Sequence, residues 1–315
     1  MKKVLFALAA VVALAACSKE QTLVTPQPDA IGFGTPFIEN STRAVVNEFN
    51  SIDSFQVWGN VTGNAGNIFL FNGALVERDG AADGTAFKCS QTEYWIPSAT
   101  YNFLAISGAN SVAPTTGFPT EISYTATGSN DLLLSEYVEV KTDNKSMPIS
   151  GVNANKCVPF TFKHLLSKVY FNFTNASTSD KCSYEISDIQ ILGAKKTSTY
   201  DITTEKWATA TGDASAFSFG DAGTLAMGAS ATSDAACLFI PGAQNLTVSF
   251  TQQFLYNGTA VNDPETVTAT LTPTFASNGC YVINVELKGG VAITFTVDEQ
   301  DGLNGWDSKT DISIP

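Results

Sequence analysis

The chain has 315 residues, with 17 basic and 30 acidic side chains and a single histidine, for a formal net charge of −13. A surface this acidic is soluble and self-repelling, and the excess argues against nucleic acid as a partner, which calls for clustered positive charge. The length suits one large domain or two ordinary ones.

The chain opens with Met1-Lys2-Lys3, then thirteen apolar residues from Val4 to Ala16, then Cys17. A positive start, a short apolar stretch and small residues at the cut describe a secretory signal. The run is too short to span a bilayer, which takes roughly 20 apolar residues. Leu14-Ala15-Ala16-Cys17 resembles the bacterial lipobox, in which the cysteine is diacylated and becomes the mature N-terminus. Residues 1–16 are then the signal peptide, and lipid on Cys17 holds the chain to a membrane. More than one acyl chain gives stable attachment, where one alone is marginal. Ser18 at the next position favours, by the same resemblance, the outer membrane. Losing Lys2 and Lys3 leaves 15 basic residues (17 − 2) against 30 acidic, or −15. Five cysteines remain, Cys89, Cys157, Cys182, Cys237 and Cys280. Export permits oxidation, but the number is odd, the spacings are long and no C-x-x-C occurs, so neither zinc nor thioredoxin-like chemistry is indicated and the pairing stays open.

Residues 18–43 read as a leader. They carry Pro26 and Pro28 and one apolar patch, Ile31 to Ile38, interrupted by Gly32, Gly34 and Pro36. From about residue 44 onward short runs of Phe, Val, Ile, Thr and Tyr are broken by Gly, Asn, Asp and Ser, which predicts strands almost throughout. No segment holds a helical period over about 11 residues, so long helices are not expected. Val169-Tyr170-Phe171-Asn172-Phe173 alternates as a half-buried strand does. "YEISDIQIL" (184–192), "LTVSFTQQF" (246–254), "YVINVEL" (281–287) and "VAITFTV" (291–297) read the same way. Turn signals separate them at 78–84, 175–178, 256–264 and 276–279. Short strands at this spacing imply antiparallel sandwiches. Two in series are expected, over residues 44–155 and 156–315, with the polar stretch 141–156 as the join.

Catalytic signatures are missing. The lone histidine, His164, has no second base or nearby cysteine, and no G-x-S-x-G, Walker loop or dinucleotide fingerprint occurs. His164, at the start of an apolar strand, reads as a structural residue. A carboxylate pair for glycoside hydrolysis cannot be assembled from sequence alone. The cluster Asp298, Glu299, Asp301, Asn304 and Asp307 misses the alternating acid pattern of a calcium loop, so a solvated turn is expected. Neither a metal nor a cofactor is expected, and the chain does not read as an enzyme. Trp58, Trp95, Trp207 and Trp306 are scattered beside apolar runs, which suits core or rim more than a sugar-binding row.

Taken in order, the motifs resemble a family. "IGFGT" in the leader is followed by "STRA" (41–44), "EYWIPSATYNFLAISG" (93–108) and "NDLLLSE" (130–136). Then come "FTFKHLLSKVYFNF" (160–173), "CLFIPGAQNLTVSF" (237–250) and the closing strands of 280–306. The series is similar to the fimbrillins, the Mfa-like lipoprotein pilin precursors of Bacteroidetes that build type V pili. Ile96 separates Trp95 from Pro97, Gly242 stands where Gln is more usual, and the C-terminal tail is short.

The resemblance implies an all-β chain of two tandem antiparallel β-sandwiches of transthyretin-like Greek-key type. It implies a precursor anchored in outer-membrane lipid through Cys17 and displayed at the cell surface, then built into a fimbrium. A trypsin-like, Arg-specific protease cuts the 17–43 leader after Arg43, before Ala44. Arg43 is the first arginine and lies in a polar stretch, of the kind proteases nick. If the leader contributes a strand, its loss leaves an unpaired edge that a strand of another pilus subunit fills. Ile312 and Ile314, on one face of "KTDISIP", are the expected donor residues. From Trp306 that tail reaches at most ~30 Å, which is short for a neighbour's groove and suggests a tip or anchor component. The alternative is a surface lipoprotein that binds glycans or host ligands without polymerising. A strand from residues 30–40 paired into the N-terminal sandwich separates the two.

Overall fold

The computed structural model describes residues 29–38, 52–63, 66–79, 87–108, 117–288 and 293–300. The protein is all-β, and no helix occurs among the described residues.

The N-terminal half begins with β1 (Gly32–Phe33) and β2 (Phe37–Ile38). A long hairpin follows, β3 (Ser54–Gly63) and β4 (Gly66–Arg78), then β5 (Phe87–Cys89) and β6 (Thr100–Ser107). Next come β7 (Glu121–Thr125), β8 (Leu133–Ser135), β9 (Val138–Thr142) and β10 (Pro148–Ser150). β11 (Cys157–Val158) and β12 (Thr161–His164) complete this half. The main sheet runs β2-β12-β8-β6-β3-β4-β5, with β9 on β6 and β10 on β9.

Both faces of this sheet are covered. Phe55, Val57 and Val61 of β3 look into a core with Phe71, Phe103, Phe160 and Phe162. Trp58, Leu104 and Ile106 look the other way and join a second, larger core. A strand buried on two faces reads as a continuous apolar run rather than an alternation, which is why Phe103-Leu104-Ala105-Ile106 shows no period of two.

The C-terminal half is built on β13 (Ser167–Asn175) and β14 (Cys182–Ala194), the central strands of two facing sheets. β13 lies between Cys280–Leu287 and the pair Ser230–Thr232 and Cys237–Phe239, and Thr294–Gln300 extends the sheet to its edge. β14 pairs with Ser215–Gly220 on one side and Leu246–Tyr256 on the other. Inward residues interdigitate between the sheets, with Phe173 edge-on to Phe250 at 5.0 Å and Phe171 edge-on to Phe219 at 4.8 Å.

The expected strands at 169–173, 184–192, 246–254 and 281–287 all lie in observed ones, and that at 291–297 overlaps Thr294–Gln300. Not every pairing is antiparallel. β1 on β11, β2 on β12, and β13 on Cys280–Leu287 are parallel. Parallel neighbours need a long crossover, and β13 reaches its partner only after the chain has built the opposing sheet. The strands are also shared across the join. β11 and β12 follow the stretch 141–156 yet pair with the leader strands and β8, while β7 pairs with β15 (Thr197–Asp201) of the C-terminal half. His164 ends β12 rather than starting a strand; β13 begins three residues later.

Candidate functional site: a strand seated in the core

Residues 29–38, the apolar patch of the leader, form the site. On one side Ala30 bridges Tyr94, Ile31 N–H donates to Glu93 O at 2.8 Å, and Trp95 N–H donates to Asp29 O at 3.2 Å. On the other side Gly32 and Phe33 pair with Cys157 and Val158, and Phe37 and Ile38 with Thr161 and Phe162. Gly34 N–H donates to Val158 O at 3.0 Å and Phe37 N–H to Phe160 O at 2.8 Å. The segment thus fills a slot between 93–95 and β11–β12. Without it, three carbonyls and one N–H named here lose their partners.

The alternation Ile31, Phe33 sends both side chains inward, where they are 5% and 4% exposed. Phe33 enters a cage of four rings. Phe71, Phe55 and Phe103 meet it edge-on at 5.5, 6.4 and 6.0 Å, and Phe160 stacks on it at 5.9 Å. Burying a side chain of this size stabilises by about 1.5–3 kcal/mol, and favourable ring pairs add about 0.5–1.5 kcal/mol each.

Gly32 and Gly34, which alternate with Ile31 and Phe33, lie against the turn before β11 and its first residue. A Cβ at Gly34 would lie 2.6 Å from Asn153 Nδ2, and one at Gly32 would lie 3.2 Å from Cys157 Sγ. Asn153 cannot easily withdraw, because its Oδ1 accepts from the backbone N–H of Asn155 and of Cys157, both at 3.0 Å. The leader strand therefore lies closer to the turn before β11 than a larger residue allows. What sequence reasoning missed is the partner: β11–β12, parallel and distant in sequence. The signal within the leader was legible, since Ile31 and Phe33 alternate with Gly32 and Gly34.

Cys17, Arg43, Ala44, Ile312 and Ile314 lie outside the described residues, as does Trp306. Trp58 and Trp95 are fully buried, and Trp207 donates its indole N–H to Leu165 O at 2.9 Å. His164 is buried with Nδ1 against the Asp131 carboxylate, a structural pairing. None of the five cysteines of the described residues is in a disulfide. Burial pushes Cys237 up to about 12 and Cys280 up to about 11, so neither is a nucleophile near neutral pH.

A family model described as fimbrillin-like matches residues 42–300. Among solved structures, a candidate cell adhesion protein from Bacteroides uniformis aligns with a TM-score of 0.53 at 14% identity, covering 88% of this chain and 100% of that one. A second from Bacteroides ovatus aligns with a TM-score of 0.51 at 17% identity, covering 87% and 97%. A fimbrial protein from Bacteroides vulgatus gives 0.50 at 12% identity, covering 87% and 99%. These likenesses establish a common fold. The search of curated proteins returned no match.

Proposed function

The chain belongs to the fimbrillin-like family, and on that premise we propose that it is a pilus-related adhesion protein of the cell surface. It is a structural subunit, or a tip or anchor component, that joins other subunits by strand exchange. In this reading lipid on Cys17 tethers the precursor to the outer membrane. An Arg-specific protease cuts between Arg43 and Ala44 and frees the leader that begins at Cys17.

The observation that carries this reading is the seat of Phe33 in its four-ring cage. While residues 29–38 are continuous with the rest of the chain, they return to their slot at a high effective concentration. A break after Arg43 removes that advantage, and the segment then competes with any strand that fits. An emptied slot is a template for backbone pairing, with pockets for alternate side chains. A donor needs apolar residues two apart, the spacing of Ile31 and Phe33, and Ile312 and Ile314 have it. Exchange of strands needs neither catalytic residue nor cofactor, which agrees with a non-enzymatic role.

Brief trypsin treatment of the purified precursor tests the proposal. One early cut after Arg43 is expected, followed by oligomers that survive SDS at moderate heating. Arg43→Gln abolishes both. Cutting at many lysines without oligomers would overturn assembly by strand exchange.

A further inference from the structure

The outer face of the sheet around β13 holds a groove of about 770 Å³, within the size range of small-molecule sites. Its floor crosses three strands. Asn172 of β13 sits directly opposite Asn284 in the parallel register, and Asn284 reaches Asp298 on the edge strand. Asn172 Nδ2 donates to Asn284 Oδ1 at 3.0 Å, and Asn284 Nδ2 donates to Asp298 Oδ2 at 2.9 Å. An ionised carboxylate only accepts, so Asp298 dictates which way Asn284 faces, and Asn284 in turn dictates Asn172. The row is preorganised from its acidic end.

Asparagine is depleted in strands, where threonine or another β-branched residue fits the pleat better. Two asparagines paired in the middle of adjacent strands break that local preference, and such breaks concentrate at functional sites. A second row, Asn102–Asn60–Asn67, crosses the N-terminal sheet, but there Asn60 is buried and the row ends on an amide. The C-terminal row ends on a carboxylate and opens into a groove.

Among the described residues, each amide keeps a second N–H, Asn172 keeps its Oδ1 and Asp298 its other oxygen. Gln300 adds a further polar group at the rim, and Tyr170 supplies an aromatic body beside it. Donors and acceptors therefore alternate along a line stepped by the strand spacing, about 4.8 Å. That is the pattern a run of sugar hydroxyls satisfies, with the C–H face of a ring against the tyrosine. No lysine or arginine is among the described lining residues, and Asp298 with Asp234 makes the groove acidic, so sialylated or sulfated chains are disfavoured.

We propose that this groove binds neutral oligosaccharides. The proposal does not depend on the assembly mechanism. It is tested with the full mature chain on an array printed with neutral, sialylated and sulfated oligosaccharides. Retention of neutral glycans is expected, falling at least tenfold in Asn284→Ala. Thr268→Ala, on a strand of the opposite sheet beside Ser249, leaves it unchanged. Gln300→Ala, at the rim, weakens it and serves if Asn284→Ala fails to fold. No retained glycan, retention confined to the acidic ones, or a signal indifferent to Asn284→Ala and Gln300→Ala would overturn it.

Discussion

Phe33 and Phe160 stack with ring centroids 5.9 Å apart and planes 19° from parallel. One ring comes from the leader, and the other from the bend between the two strands on which the leader pairs. The contact couples the leader to the N-terminal core through both side chain and backbone, so the core is complete only with the leader in place. Phe33→Ala is expected to cost about 3–5 kcal/mol, as large-to-small changes at fully packed aromatic sites do. The check is urea unfolding of the uncut precursor, read at the N-terminal core. A loss under about 1 kcal/mol would show that the core closes without this ring.

Gly34 offers a separate lever on the same seat. A methyl group there would press on Asn153 Nδ2, which lies 2.6 Å from the position of its Cβ. Gly34→Ala is therefore expected to destabilise by about 1–3 kcal/mol, the usual cost of overpacking. Asn153→Gly destabilises too, because it removes the acceptor of two backbone N–H groups. Combined, the two cost less than their sum, because the second change removes the atom the first one strikes. Strict additivity in a double-mutant cycle would show that Gly34 acts elsewhere.

Much of the fold was legible in the sequence. Where one face of a strand meets solvent, as in Val169 to Phe173, alternation marks it directly. Where both faces are covered, as in Phe103 to Ile106, the pattern dissolves, because neither face selects for polarity. The leader patch was visible from Ile31 and Phe33, but not its neighbours. Nothing within Gly32–Phe33 encodes a parallel partner at Cys157–Val158, since register between distant strands is fixed by the packing of the whole sheet. The asparagine row was hidden for the same reason: Asn172 and Asn284 become neighbours only through the long crossover.

Cys157 reports on whether the leader stays. Its sulfur lies against Gly32, and burial raises its pKa. A raised pKa means less thiolate at pH 8 and slower alkylation. When the leader departs the sulfur is rehydrated, its pKa falls toward the ordinary thiol range and the thiolate fraction rises. Labelling with iodoacetamide, read by mass spectrometry, is expected to speed up several-fold at Cys157 after cleavage and exchange into leader-free buffer. Cys237, held at about 12 by the C-terminal core, stays slow throughout. An unchanged rate at Cys157 would mean that the cut leader remains seated.

Two exposed turns contribute to the acid limb of stability. The Asp143 carboxylate accepts from the backbone N–H of Met147 at 2.9 Å and of Lys145 at 2.8 Å, and these bonds hold its pKa below the usual value. Asp201 is lowered likewise by the N–H groups of Thr204 and Thr203. A group whose folded pKa is depressed adds stability above its unfolded pKa and loses it as pH falls through the folded value. Both contributions are thus present at neutral pH and disappear below about pH 4, where unfolded aspartate titrates. Asn at both positions keeps an acceptor oxygen for each turn but cannot take up a proton. The double variant Asp143→Asn, Asp201→Asn is expected to melt slightly lower than the parent at pH 7 and to lose less on acidification, so that the two melting curves draw together as the pH falls below the usual aspartate range. Parallel melting-temperature profiles across that fall would show that neither turn contributes to acid sensitivity.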